Sequence, residues 1–223
     1  MDFFQAAQQE TSVAVDFSCS SDVLWVFFGG INGGLGIPIF EFGNITKDIE
    51  VKKIFIRDRH QAFYHKGLEN INGVDNIWSI RDYLDRLICE SGTKKKVFLG
   101  NSAGGYAAIL FGVLFQADLV YAFSPTTLIE KKSLPYLSEK ISPETWEILE
   151  KAETSDLCYF LKKYNSHHST IHIFFDETSE DAFHANRLNR FNNIIYHSFP
   201  WGGHNLIKAL KESGELKIIL HEI

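Results

Sequence analysis

Apolar runs and segments with helical spacing alternate along most of the chain. Six short runs rich in Val, Ile, Leu and Phe are typical of strands buried on both faces of a sheet. Between several of them, apolar residues recur at the three- and four-residue spacing of a helix. The pattern predicts strands at residues 23–28, 51–56, 97–99, 119–123, 171–175 and 194–199, and helices at residues 77–88, 104–115, 142–151, 182–191 and 205–212.

The order of these elements predicts the fold class. Strands that alternate with helices favour an α/β fold, with a mainly parallel sheet and helices on both faces, whose active site gathers at the carboxyl ends of the strands. The chain has 223 residues, enough for one well-cored domain, so we expect residues 1–223 to form a single domain. Its longest connection, residues 125–168, is either a small lid or a crossover helix with irregular flanks.

Composition and charge exclude several function classes. Hydrophobic residues make up 45% of the chain and charged residues 22%, which is ordinary for a globular protein. The formal net charge is −6 and the single basic run lies at residues 94–96, so nucleic acid is not expected as a partner. Three widely spaced cysteines without a Cys-x-x-Cys pair indicate neither a disulfide framework nor a zinc site.

The same features bear on localisation and cofactors. The N-terminal residues lack the basic start and long apolar stretch of a signal peptide, and no apolar run approaches membrane-spanning length. Together with the cysteine usage, this favours a cytoplasmic protein. His167 and His168 have no partner at metal-ligand spacing, so we expect neither a metal nor an organic cofactor.

The sequence Gly-Asn-Ser-Ala-Gly at residues 100–104 is the strongest chemical signal. It lies between a predicted strand and a predicted helix, where a Gly-x-Ser-x-Gly turn holds a serine in a strained conformation and glycines relieve the crowding. The hydroxyl of Ser102 would project from the sheet edge towards the positive end of the next helix, which favours a developing oxyanion. The motif therefore predicts that Ser102 is a nucleophile.

A serine hydroxyl becomes a strong nucleophile only when a base takes its proton. His204 is the best candidate of the nine histidines, because two glycines before it allow a tight turn after the last predicted strand. The histidine needs a carboxylate that fixes its tautomer, and one loop offers both Asp176 and Asp181. We prefer Asp181, which lies far enough past the strand to curl back, whereas Asp176 ends the strand and is the alternative acid or a brace for the loop.

Nucleophile, acid and histidine follow in the order that is found in the α/β-hydrolase family, which the sequence resembles over most of its length. Segments such as residues 63–68 and 123–125 are similar to small bacterial hydrolases of uncertain substrate. In that family the oxyanion hole takes one backbone N–H from the residue after the nucleophile, here Ala103. The resemblance implies a second N–H, from Gly30 or Ile31 in the glycine-rich turn after an early strand.

Aromatic residues near the predicted sheet edge indicate an apolar substrate pocket, although most of them would serve equally well in the core. Tyr64 and His65 come shortly after a predicted strand, and Trp201 lies in the turn before His204. We therefore expect Tyr64, His65 and Trp201 to contact substrate. The aromatic residues near the edge are Phe28, Phe63, Tyr64, Trp146 and Trp201.

These residues predict a serine hydrolase that acts on a small-molecule carboxylic ester through an acyl-serine intermediate. A thioesterase or an acyltransferase would use the same three side chains, so the sequence does not separate them. A non-catalytic α/β-hydrolase-like binding protein is the alternative from another class. The sequence does not predict the oligomeric state.

Overall fold

One seven-stranded sheet forms the centre of the protein. The computed structural model describes residues 11–31, 40, 42–164 and 168–223. The strands are β1 (Val13–Asp16), β2 (Val23–Phe28), β3 (Lys52–Ile56), β4 (Lys95–Asn101), β5 (Leu119–Phe123), β6 (Thr170–Asp176) and β7 (Ile194–Phe199). They lie in the order β1-β3-β2-β4-β5-β6-β7, and every neighbouring pair is parallel except β1 with β3.

Helices cover both faces of the sheet. Those in the described ranges are α1 (Ile77–Ser91), α2 (Ala103–Leu114), α3 (Pro143–Lys151), α4 (Leu157–Lys163), α5 (Asp181–Asn186), α6 (Leu206–Ser213) and α7 (Glu215–His221). None of them is long and apolar enough to cross a bilayer. Helix α1 shows why such elements form where they do: Asn76 caps it together with Ser79, and Gly92 ends it in the left-handed conformation.

Two apolar cores lie against the two faces. Helix α2 is buried along almost its whole length on one face, where Phe111 stacks on Phe28 of β2 at 5.4 Å between ring centroids. The other face is covered by α6 and α7, whose Leu206 and Leu216 are buried against strand residues. Because the sheet is covered on both sides, its central strands read as continuous apolar runs.

The six predicted strands and the mainly parallel α/β class are confirmed, with three differences. Strand β1 was not predicted; it is short and pairs antiparallel at one edge of the sheet. The expectation that residues 194–199 are buried on both faces is wrong, because β7 is the other edge and leaves Ile195 and Tyr196 44% and 36% exposed. The helix predicted at 182–191 ends at Asn186, where the backbone continues in single turns.

The connection between β5 and β6 is packed into the main core. It contains α3 and α4 together with short 3-10 turns at Lys131–Ser133, Pro135–Leu137 and Glu153–Ser155. Trp146 and Phe160 on its helices are at most 3% exposed. Apolar burial of this extent stabilises the connection against the face of the sheet that also carries α2.

Candidate active site

The turn between β4 and α2 holds Ser102 in a strained backbone conformation, with φ 55° and ψ −116°. A Cβ atom on Gly100 would lie 2.0 Å from the carbonyl oxygen of Gly104, and one on Gly104 would lie 2.1 Å from that of Phe28. Only residues without a side chain allow the strand, the turn and the helix to approach this closely. The two glycines thus permit the sharp turn that presents Ser102.

The hydroxyl of Ser102 contacts an imidazole that comes from the far end of the chain. Ser102 Oγ lies 2.8 Å from His204 Nε2. His204 is placed by a 3-10 turn, Gly203–Asn205, directly after Gly202 with φ 106°. A Cβ at Gly202 would meet Leu206 at 2.9 Å, so glycine is required there by both conformation and space. The side chain of His204 is 29% exposed, which leaves it open to solvent at the sheet edge.

The other nitrogen of His204 meets a buried carboxylate. His204 Nδ1 lies 2.7 Å from Asp181 Oδ1, and the Asp181 side chain is 1% exposed. Burial alone would lower the pKa of His204, but the hydrogen bond to Asp181 and the charges of Asp181 and Glu180 outweigh it and raise the pKa. With the Nδ1 proton directed at Asp181, Nε2 of the neutral ring accepts from Ser102.

Asp176, the alternative acid, lies at the end of β6 and contacts backbone next to His204 rather than its ring. Its Oδ2 accepts a 2.7 Å hydrogen bond from the Gly203 N–H, and its Oδ1 accepts from the N–H and hydroxyl of Thr178. The hydrogen bonds from Thr178 and Gly203 lower the pKa of Asp176. This carboxylate therefore joins the loop after β6 to the turn that carries His204.

The glycine turn after β2 runs beside the serine. A Cβ atom at Gly30 would lie 3.0 Å from the Asn101 carbonyl oxygen and 3.5 Å from Cβ of Ser102. Ala103, the first residue of α2, is buried, and Ile31 is partly buried. Gly30 thus lies close to Ser102, as does Ala103, its neighbour in the chain. Residues 32–39 lie outside the described residues.

Tyr64 is fully buried, and its side chain supports the glycine turn after β2. Its hydroxyl donates a 2.8 Å hydrogen bond to the carbonyl oxygen of Gly29. The loop that carries it is left-handed at Gln61, Phe63 and Tyr64. The carboxylate of Asp58 accepts the N–H groups of Ala62 and Tyr64, at 2.6 and 2.9 Å, which stabilises this unusual backbone. Tyr64, which the sequence predicts to contact substrate, is therefore buried within the protein.

His65 and Trp201, the other expected substrate contacts, lie in different surroundings. His65 is 8% exposed, and its Nε2 lies 2.9 Å from the hydroxyl of Tyr106, which donates to the carbonyl oxygen of Thr154. His65 thus links the loop after β3 to α2 and to the β5–β6 connection. Trp201 is 37% exposed and packs edge-on against Phe199, beside the turn that carries His204.

Two further residues close to His204 and Asp181 carried no signal in the sequence. Tyr136, in the 3-10 turn Pro135–Leu137, packs its ring 5.4 Å from that of His204. Burial raises the pKa of its phenol, and the negative charges of Asp181 and Glu180 raise it further. His184 is buried one turn after Asp181 on α5. Neither residue belongs to a motif, and only the packing of the β5–β6 connection and of α5 brings them here.

The site has no donor set that fits a metal. In the part of the chain that the structure describes, no three or more His, Cys, Asp or Glu side chains come together as potential metal ligands. The arrangement around Ser102 is instead that of a hydroxyl, an imidazole and a carboxylate in line, which suits covalent catalysis by the hydroxyl.

Comparison with known proteins gives a clear result at the level of structure alone. No protein-family model matches the sequence, and the search of curated proteins finds no match. Many solved structures are similar. A capsule O-acetyltransferase of Neisseria meningitidis serogroup A has a TM-score of 0.64 and 14% identity, with 94% of this chain and 90% of that chain covered.

Two other similar structures are hydrolases by name. MGS-MChE2, an α/β-hydrolase enzyme from a lagoon-sediment metagenome, has a TM-score of 0.62 and 14% identity over 96% of this chain and 94% of its own. The fluorophosphonate-binding serine hydrolase F of Staphylococcus aureus has a TM-score of 0.61 and 14% identity over 90% of this chain and 83% of its own. With its mainly parallel sheet and its strand-turn-helix around Ser102, the chain has the α/β-hydrolase fold.

Proposed function

We propose that the protein is a serine hydrolase that cleaves a carboxylic ester through an acyl-serine intermediate. The observation that carries the proposal is the continuous line of hydrogen bonds from Ser102 through His204 to Asp181, at 2.8 and 2.7 Å. Such a line activates a hydroxyl, because the imidazole takes its proton and the carboxylate stabilises the imidazolium that forms. The strained backbone of Ser102 supports the same role, since strain of this kind gathers at active sites.

In the first half-reaction Ser102 Oγ attacks the ester carbonyl carbon while its proton passes to Nε2 of His204. The tetrahedral intermediate then collapses, the bond to the alkoxy oxygen breaks, and His204 returns the proton to the leaving alcohol. In the second half-reaction water loses a proton to His204 and attacks the acyl-serine, which releases the carboxylic acid and restores the Ser102 hydroxyl.

The negative charge on the intermediate requires donors beside Ser102. The N–H of Ala103 follows the nucleophile at the start of α2, where the helix dipole adds a positive field. We assign the second donor to Gly30 or Ile31, on the turn after β2 that runs close to Ser102. Two such donors are typical of hydrolases in which the serine sits on a turn of this form.

An acyltransferase is the second candidate, and one comparison favours it. The similar structure from Neisseria meningitidis is by its title a capsule O-acetyltransferase, so this fold carries acetyl transfer as well as hydrolysis in the matched proteins. Transfer would use the same acyl-serine, with an acceptor hydroxyl in the place of water. An acetyl ester on a sugar is accordingly one substrate class to test, and thioesters are another.

Steady-state hydrolysis separates these possibilities. We expect the wild-type protein to hydrolyse p-nitrophenyl acetate and Ser102→Ala to lose that activity. The matched thioester tests for a thioesterase, and product analysis with glycerol or a free sugar present tests for transfer. A folded wild-type protein that releases no product from the ester, from the thioester or in the presence of acceptors would overturn the proposal and favour a non-catalytic binding protein.

A further inference from the structure

His184 is a buried residue near Asp181 that takes no part in the proposed reaction. It is 5% exposed and lies on α5, three residues after Asp181. Its Nδ1 accepts a 3.2 Å hydrogen bond from the N–H of Thr127 and lies 3.4 Å from the Thr127 hydroxyl, which donates a 2.9 Å hydrogen bond to the carbonyl oxygen of His184. Two hydrogen bonds between Thr127 and His184 therefore join the loop after β5 to helix α5.

The same loop supports the nucleophile. The N–H of Ser102 donates to the carbonyl oxygen of Phe123 at 2.8 Å, and the N–H of Thr126 lies 3.4 Å from the carbonyl oxygen of Ser102. Thr127 is the next residue along the chain. Contacts therefore form a closed ring, which runs from Ser102 through the loop to His184, along α5 to Asp181, and back through His204 to Ser102.

This closed ring of contacts matters because few other contacts hold the carboxylate of Asp181. Asp181 Oδ1 bonds to His204, whereas its buried Oδ2 has no hydrogen-bond partner among the described residues. The position of the carboxylate therefore depends on the backbone of α5, a helix of six residues. The far end of that helix is fixed by Arg187, whose guanidinium lies 2.7 Å from Asp156. The turn that carries Asp181 is held at its start by the Ser179 hydroxyl, which accepts a 3.2 Å hydrogen bond from the Asp181 N–H, and on the next turn of α5 by His184 and Thr127.

We propose that His184 is a positioning residue, which holds the helix of the acid against the loop of the nucleophile through its two hydrogen bonds with Thr127. This inference rests on the proposed function, because it assigns His184 to the alignment of Asp181 with His204. A buried N–H that loses its acceptor costs free energy, so removal of the imidazole displaces the loop or the helix. A displacement of about 1 Å at such a site lowers the rate by up to about a hundredfold.

The ionisation state of His184 agrees with this role. Burial lowers its pKa to about 4; the charge of Asp181 opposes this, while those of His204 and Arg187 act in the same direction. At neutral pH the ring is uncharged, so Nδ1 has a lone pair for the N–H of Thr127 and the proton is on Nε2. His184 thus serves as a neutral acceptor close to the carboxylate of Asp181.

Two substitutions test the acceptor directly. His184→Phe fills the space without an acceptor, whereas His184→Asn places its amide oxygen near the position of Nδ1 and is able to accept from Thr127. His221→Asn is the matched control, since His221 is exposed on α7. The primary readout is the pKa of the His204 imidazole in an NMR titration, which requires no substrate. The second readout is kcat and KM with p-nitrophenyl acetate.

In His184→Phe we expect the pKa of His204 to fall towards its ordinary value of about 6.5, because Asp181 no longer aligns with the ring. We expect kcat to fall about ten- to hundredfold, with KM within about twofold of wild type. His184→Asn should restore both readouts to near wild type, and His221→Asn should change neither.

A folded His184→Phe protein with an unchanged pKa of His204 would overturn the inference. If that variant does not fold, His184→Leu decides, because it also removes the acceptor and is smaller; an unchanged pKa of His204 in His184→Leu has the same meaning. A wild-type protein without esterase activity would count against the proposed function, whereas the NMR titration would still test the role of His184.

Discussion

The N–H of Gly203 donates a 2.7 Å hydrogen bond to the carboxylate of Asp176, one residue before the histidine that contacts Ser102. Asp181, at the other end of the loop that follows Asp176, contacts the ring of His204 itself. The two carboxylates that flank this loop thus hold the same turn, one through its backbone and one through its imidazole. This division predicts different consequences for the loss of each carboxylate.

Asp181→Asn should lower kcat by about a thousandfold or more, because the amide no longer stabilises the imidazolium of His204. Asp176→Asn should lower kcat by at most about tenfold and reduce the free energy of unfolding by about 1–3 kcal/mol, because charged hydrogen bonds to Gly203 and Thr178 are weakened. Ester hydrolysis and urea unfolding measure these effects. The opposite order of kcat losses would identify Asp176 as the acid.

The rate should depend on pH through His204. Its pKa is raised in the folded protein, and only the neutral ring takes the proton of Ser102, so kcat/KM should rise with pH through that raised pKa. Asp181→Asn should move the midpoint to lower pH, since it removes the hydrogen bond and the charge that raise the pKa. A midpoint that stays in place would show that another group controls the profile.

The same raised pKa links stability to pH. The folded protein binds the His204 proton more tightly than the unfolded chain does. This contribution to stability is therefore fully present below the unfolded pKa of about 6.5 and is lost as the pH rises through the folded pKa. Urea unfolding of wild type and His204→Gln across that window should show a difference that shrinks as the pH rises.

Gly104→Ala should destabilise the protein by at least about 3 kcal/mol, because the new methyl group would lie 2.1 Å from a backbone oxygen that cannot move aside. Gly73→Ala is the control, since Gly73 has a φ of 76° and nothing within 4 Å of the added Cβ. The free energy of unfolding of that variant should fall by only about 1 kcal/mol, because of backbone strain. Equal losses in urea unfolding would contradict the close approach of α2 to β2.

Tyr64→Phe should reduce the free energy of unfolding by about 1–2 kcal/mol, because the carbonyl oxygen of Gly29 loses a buried hydrogen bond. KM should stay unchanged, since the ring remains in the core. The activity assay and urea unfolding together check this prediction. A raised KM at unchanged stability would indicate that Tyr64 contacts substrate.

The region around Ser102 could be anticipated from the sequence for a physical reason. In a mainly parallel sheet the loops after successive strands meet at one edge, so residues far apart in the chain come close when each follows a strand. Gly100 and Gly104 lie where the backbones of β2, β4 and α2 approach each other too closely for a side chain. Glycines at this spacing are therefore visible in the sequence itself.

Other features depend on which elements pack together, and the sequence does not state that. An apolar run such as residues 194–199 is the same whether the strand has two neighbours or one, so the exposed edge at β7 could not be predicted. Tyr64 follows a strand as a binding residue would, yet its hydroxyl bonds to Gly29. Tyr136 and His184 come close to His204 and Asp181 through tertiary packing and belong to no motif.

The central claim is that Ser102 is an activated nucleophile. A fluorophosphonate probe, which reacts covalently with activated serines, tests it most directly when peptide mass spectrometry locates the label. We predict that wild type is labelled at Ser102, that Ser102→Ala is not labelled, and that His204→Ala is labelled far more slowly. A folded wild-type protein that remains unlabelled, or that carries the label on another residue, would contradict the account.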